Sequence, residues 1–80
     1  MRLLATYGKY KGRWHLSLLR EDAQTPAGQR VSFASEAALV NAAAKMRGDA
    51  AQVRSDLRRW GQGSAWLDLS PAQCRFFGIQ

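Results

Sequence analysis

In Arg13-Trp14-His15-Leu16-Ser17-Leu18 the character of the side chain changes at every step. Trp14, Leu16 and Leu18 are apolar, whereas Arg13, His15 and Ser17 are not. A period of two marks a half-buried β-strand, whose successive side chains point to opposite sides of a sheet. The apolar set is expected on a core face and the polar set on an open face. Immediately upstream, residues 2–10 contain Tyr7, Tyr10 and several leucines, which suit a pleated surface, and Lys11-Gly12 supplies a turn. Residues 2–10 and 13–20 therefore read as the two arms of a hairpin.

Working outward, Glu21 to Gln29 is polar and includes Pro26 and Gly28, so it reads as a mobile connection. Arg30-Val31-Ser32-Phe33 alternates again and predicts a third strand, with Val31 and Phe33 inward and Arg30 and Ser32 outward. Ser35 suits a helix N-cap with Glu36 in the first turn, and the alanine-rich run to Arg47 favours helix. Gly48 reads as its left-handed stop. Asp49 offers a second cap, with Gln52 three residues on. Val53, Leu57 and Trp60 then recur at helical spacing and predict a buried stripe. Gly61-Gln62-Gly63-Ser64 reads as a short flexible connection, and Ala65 to Leu69 as a fourth strand. Ser70-Pro71-Ala72-Gln73 is the clearest local signal: cap, proline at the first helical position and box-closing glutamine. A final helix should run from Pro71 to Phe77 and stop at Gly78.

The resulting order is β-β-β-α-α-β-α in a single domain over residues 1–80. The expected class is α+β: a small antiparallel sheet of three N-terminal strands plus one later strand, with two to three helices on one face. An apolar fraction of 46% and a charged fraction of 22% belong to a folded chain. A core of this size supplies roughly 3–5 kcal/mol of net stability, so pairing with a second copy is a natural way to add burial.

Charge gives the functional direction. Twelve Lys and Arg stand against six Asp and Glu, a formal net charge of +6. Such an excess favours polyanionic partners: nucleic acid, an acidic protein face or an anionic membrane surface. Five of the cations (Arg2, Lys9, Lys11, Arg13, Arg20) fall in the first twenty residues, and the first carboxylate is Glu21. Cations interleaved with Tyr7, Tyr10, Trp14 and His15 can hold a phosphate backbone and stack on bases. Cys74 is alone, which excludes a disulfide framework and a cysteine-based metal site, and no cofactor is expected. A reducing compartment, and so a cytoplasmic location, is the expectation. No run reaches the ~18 apolar residues of a membrane span.

The candidate binding set is Lys9, Tyr10, Lys11, Arg13, His15 and Arg30 on the hairpin and open sheet face, Arg54, Arg58 and Arg59 on the second helix, and Trp66. Arg54 and Arg58 lie one turn apart and share a helix side, where guanidiniums can clamp phosphates or carboxylates. The competing reading gives Arg58 and Arg59 to the helix dipole, with Asp56 neutralising part of the cluster. Trp14 and Trp60 are expected in the core. Trp66 shares its strand phase with Asp68 and is expected outside, as an interface anchor. His15 as a general base lacks a carboxylate to orient it, so a small ribonuclease is a minor alternative and no catalytic residue is assigned. Cys74 reads as a small buried apolar residue.

The segments Gly12 to Leu18 and Arg30 to Ala38 resemble, in outline, three-stranded-sheet DNA readers such as AP2-type and integrase arm-binding domains. The likeness is a Trp-bearing strand, a strand ending in Phe, and a helix opening with Ser and an acid. It covers about half the chain, which continues with a helix, a strand and a helix that those families do not need. The resemblance implies that Arg13, Trp14 and Arg30 enter the major groove. Together these readings predict a small non-enzymatic nucleic-acid-binding module. The alternative is a protein–protein module: a homodimer, or an accessory or inhibitor protein on an acidic surface, with Tyr7, Tyr10, Trp66 and the arginine helix as anchors.

Overall fold

The structure, a computed structural model, describes residues 1–22 and 24–79. The chain forms β1 (Arg2–Tyr10), β2 (Arg13–Leu19), β3 (Val31–Phe33), α1 (Glu36–Lys45), α2 (Ala50–Trp60), β4 (Gln62–Asp68) and α3 (Pro71–Phe76). All neighbours in the sheet are antiparallel, in the order β3-β2-β1-β4. The fold is therefore α+β, as the sequence pattern predicts. No helix among the described residues is long and apolar enough to cross a membrane.

β1 is central because both its neighbours are sequence-local or brought back by α2. It pairs Leu4 with Leu19 through Tyr10 with Arg13 on one side, and Arg2 with Asp68 through Gly8 with Gln62 on the other. The pleat then sorts side chains by parity. Leu3, Ala5 and Tyr7 join Leu16, Leu18 and Leu67 on one face, where α1 and α2 supply Leu39, Val40, Ala43, Val53 and Leu57. Burying one such aliphatic side chain contributes about 1.5–3 kcal/mol, so this face holds the fold together.

Two polar bonds are built into that packing. The Tyr7 hydroxyl donates to Asp56 Oδ2 at 2.6 Å, fastening α2 to β1, and Gln52 Nε2 donates to Oδ1 at 2.8 Å within α2. Burial, reinforced by the Asp56 carboxylate, pushes the Tyr7 phenol up from its ordinary value of 10.0. Gly63 on β4 makes room for the pair: a Cβ there would lie 2.7 Å from both Asp56 Oδ2 and Tyr7 Cε2. Tyr7 is only 4% exposed and is no interface anchor.

Several local expectations are corrected. Residues 24–29 do not form a loose connection. Pro26 bridges to Leu19, Ala27 N–H donates to the Leu18 carbonyl, and Ala27 is buried in the core. Asp22 organises the turn by accepting from the Thr25 hydroxyl and from the backbone N–H groups of Thr25 and Gln24, which hold its carboxyl down at about 2. Gly61-Gln62-Gly63-Ser64 is not a flexible linker either: Gly61 is the left-handed cap of α2, and β4 begins at Gln62. After α1 the left-handed residue is Arg47, with φ 63°, not Gly48. Gly48 is required instead for close packing, since a Cβ would meet Leu67 Cδ2 at 2.6 Å.

Trp60 departs most from expectation. It has the helical phase of Val53 and Leu57 but is 70% exposed. It is the last residue of α2, and phase buries a side chain only where a surface lies opposite. Trp14 packs against the core as expected.

Candidate nucleic-acid interface

The opposite parity builds the face that the helices leave uncovered. Cross-strand pairing sets Ser32 beside His15, His15 beside Gly8 and Gly8 beside Gln62 in one row. The next row is Ser17, Thr6 and Ser64, and another is Leu19, Leu4 and Trp66. Tyr10 and Arg13 pair at the hairpin end, and Arg2 and Asp68 at the other. The face thus grades from cations, rings and hydroxyls to a small apolar end.

A shallow concavity of about 310 Å³ lies on the polar part, with Thr6, Gly8, Tyr10, His15, Ser17, Arg30 and Gln62 in its lining. Arg30 precedes β3 and continues the outward phase of Ser32. The Tyr10 ring is 62% exposed and tilts 56° to the His15 ring, with centroids 6.4 Å apart. Lys11 Nζ sits 5.4 Å from the Tyr10 centroid, so this turn cation is held beside the ring. Inside the concavity, His15 Nδ1 is buried with no hydrogen-bond partner, an arrangement that leaves a polar atom unsatisfied. At the far end Arg2 lies 4.8 Å from the Trp66 centroid, and Trp66 is 43% exposed. Asp68 is an acidic residue of this face, and its carboxylate is 3.4 Å from the N-terminal ammonium.

Not all the candidate residues meet. Tyr10, Lys11, Arg13, His15, Arg30 and Trp66 share the open side. Lys9 borders the concavity, yet its ammonium does not join them: the side chain has the phase of Tyr7, pairs with Trp14 and holds Nζ 5.1 Å from that indole on the helix side. Trp14 itself faces the helices, so it cannot enter a groove from the open face as the AP2-like pattern implies. Arg54, Arg58 and Arg59 lie on α2, which packs on the other side of the sheet. There Arg58 Nε pairs with Glu36 Oε1 at 3.1 Å, and Arg59 lies 5.9 Å from the Trp60 ring. Asp56 makes no ion pair with these arginines among the described residues, its two oxygens accepting instead from Tyr7 and Gln52.

Sequence reasoning missed one surface. An apolar groove of about 530 Å³ between α1 and α3 includes Phe33, Ala42, Met46 and Phe76 in its lining. Its signal is Phe76 next to Phe77: Phe77 is buried, so on a short helix its neighbour is turned out. Cys74 is free, half-buried and packed against the core. Among the described residues, no three His, Cys, Asp or Glu side chains gather as a metal site would require. Comparison with protein-family models, curated proteins and solved structures returns no match.

Proposed function

We propose that the open sheet face binds nucleic acid, mainly through phosphates. The observation that carries this reading is the charge of that face: Lys11, Arg13 and Arg30 stand beside stackable Tyr10 and His15, and Arg2 lies at the other end beside Trp66, where the carboxylates among the described residues are Asp68, already next to an ammonium, and Glu21, which borders a concavity with Arg2. Guanidiniums suit phosphate oxygens because their N–H groups form a planar fork. The hydroxyls of Thr6, Ser17 and Ser64 add neutral donors for phosphate or sugar contacts. Tyr10, mostly exposed and steadied by Lys11, supplies a flat ring for a base.

The count of available cations sets the expected salt response. With Lys9 and the α2 arginines on the other side, about four phosphate contacts are within reach. A slope of about −0.9 per contact then gives roughly a hundred-fold loss of affinity between about 50 and 200 mM salt on duplex DNA. Fluorescence anisotropy with a mixed panel of DNA and RNA oligonucleotides tests this. Salt-sensitive binding of that steepness is expected. No binding to any oligonucleotide at low salt would remove the proposal. Replacing His15 by Ala should leave the protein without any gained or lost RNA cleavage, since no carboxylate lines the concavity to orient the ring.

A further inference from the structure

The two edges of the sheet are not equally protected. β3 is three residues long, and the β2–β3 connection lies along the same side, so little of that edge is bare. β4 is seven residues long and ends the sheet on the other side. Lys9 N–H donates to the Gly61 carbonyl at 2.9 Å and Leu69 N–H to the Met1 carbonyl at 2.7 Å, so the odd-numbered residues of β4 face β1. Gln62, Ser64 and Trp66 therefore turn both N–H and C=O away from the sheet, and no partner meets them among the described residues. Asp68 N–H also points outward but is taken by the Met46 carbonyl at 2.8 Å, which closes that end. Between Gln62 and Leu67 there is no Lys, Arg or Pro, and the pairing with β1 runs without a bulge. These are the usual devices that keep an edge from pairing, and this strand lacks all of them.

We propose that this edge pairs antiparallel with the β4 edge of a second copy of the chain, joining two sheets into one. The free segment is self-complementary. A two-fold axis at Ser64 sets Ser64 against its own copy and Gln62 against Trp66, so every outward N–H and C=O of the free segment finds a partner. The paired run stops where Asp68 is already occupied. Charge agrees with the antiparallel sense, because the end that follows Arg59 on one copy comes beside the Asp68 end of the other. Gly63 and Ala65, the positions on the helix side of the strand, carry no bulky side chain. Two of the exposed large apolar side chains, Trp60 and Trp66, adjoin this strand, as expected of interface anchors. The joined sheet would carry two copies of the open face on one continuous surface.

Sedimentation equilibrium from low micromolar to millimolar protein, free of nucleic acid and at physiological ionic strength, tests the pairing. A reversible dimer is expected. Ser64→Lys places two ammoniums opposite one another at the axis and should weaken the dimer by roughly ten-fold or more. Ser64→Pro deletes one outward donor without touching the ladder to β1 and should do the same. Far-UV circular dichroism checks that each variant is folded. If the proline variant does not fold, the lysine variant alone decides, since it changes only an exposed side chain. A wild-type protein that stays monomeric throughout, or a dimer that a folded Ser64→Lys variant leaves unchanged, overturns the proposal.

Discussion

The two sides of one sheet are built from the same strands and do opposite things. On β1, Leu3, Ala5 and Tyr7 are buried under the helices, while Leu4, Thr6 and Gly8, each one residue on, remain accessible. On β2 the same split separates Leu16 and Leu18 from Arg13, His15 and Ser17. A single step along the chain thus moves a side chain from holding the fold to being available to a ligand. The difference also shows that closeness in sequence is a poor guide to a shared site. Lys9 and Tyr10 are adjacent, yet Lys9 lies over Trp14 on the helix side and Tyr10 on the open side.

If this division of labour is right, damage to one side should leave the other's property intact. The largest effect belongs to Leu16, fully buried at the centre of the core. Leu16→Ala should cost about 3 kcal/mol in urea unfolding through the cavity it leaves, with the oligonucleotide salt slope of the folded fraction unchanged. Next comes the open side. The double change Arg13→Ala and Arg30→Ala should lower oligonucleotide affinity by roughly ten-fold or more and the salt slope by about 2, while unfolding shifts by less than about 0.5 kcal/mol.

Tyr7 probes the buried side. Tyr7→Phe removes its bond to Asp56 and should cost about 1 kcal/mol. Its phenol is held above the ordinary value of 10.0 by burial and by Asp56, so the folded state favours the protonated form. That contribution is complete below the unfolded value and is lost as pH rises past it, because the unfolded chain releases the proton first. Stability of the native protein should therefore decline above about pH 10, and the decline should be shallower in Tyr7→Phe. The smallest effect is expected for Lys9→Ala: less than about 0.5 kcal/mol in stability, and no change in oligonucleotide affinity, because its ammonium is on the wrong side.

How much of this was legible in the chain follows the range of each signal. The strand alternation of residues 13–18 and the caps at Ser35, Asp49 and Ser70 are local, and they give the element order and both faces of β2. Lys9 was legible too, since it shares the phase of Leu3 and Tyr7. Nearness to the hairpin tip does not decide which side a cation takes; the pleat does. Gly61 to Ser64 reads as a linker because glycine weakens strand propensity, but Gly63 serves a close approach to Tyr7 and Asp56 that only the tertiary packing creates. The bond from Tyr7 to Asp56 spans 49 residues and has no local signature. The exposure of Trp60 and the tied-down loop at Ala27 likewise depend on what lies opposite them in space.

On this reading the cations and rings of the open side, and not those of the helix side, meet nucleic acid. Amide and side-chain NMR shifts during titration with an oligonucleotide test it most directly. Perturbations should concentrate at Thr6, Tyr10, Arg13, His15, Ser17 and Arg30, with α2 silent. Shifts centred on Arg54, Arg58 and Arg59, or none on the open face at saturating oligonucleotide, would contradict it.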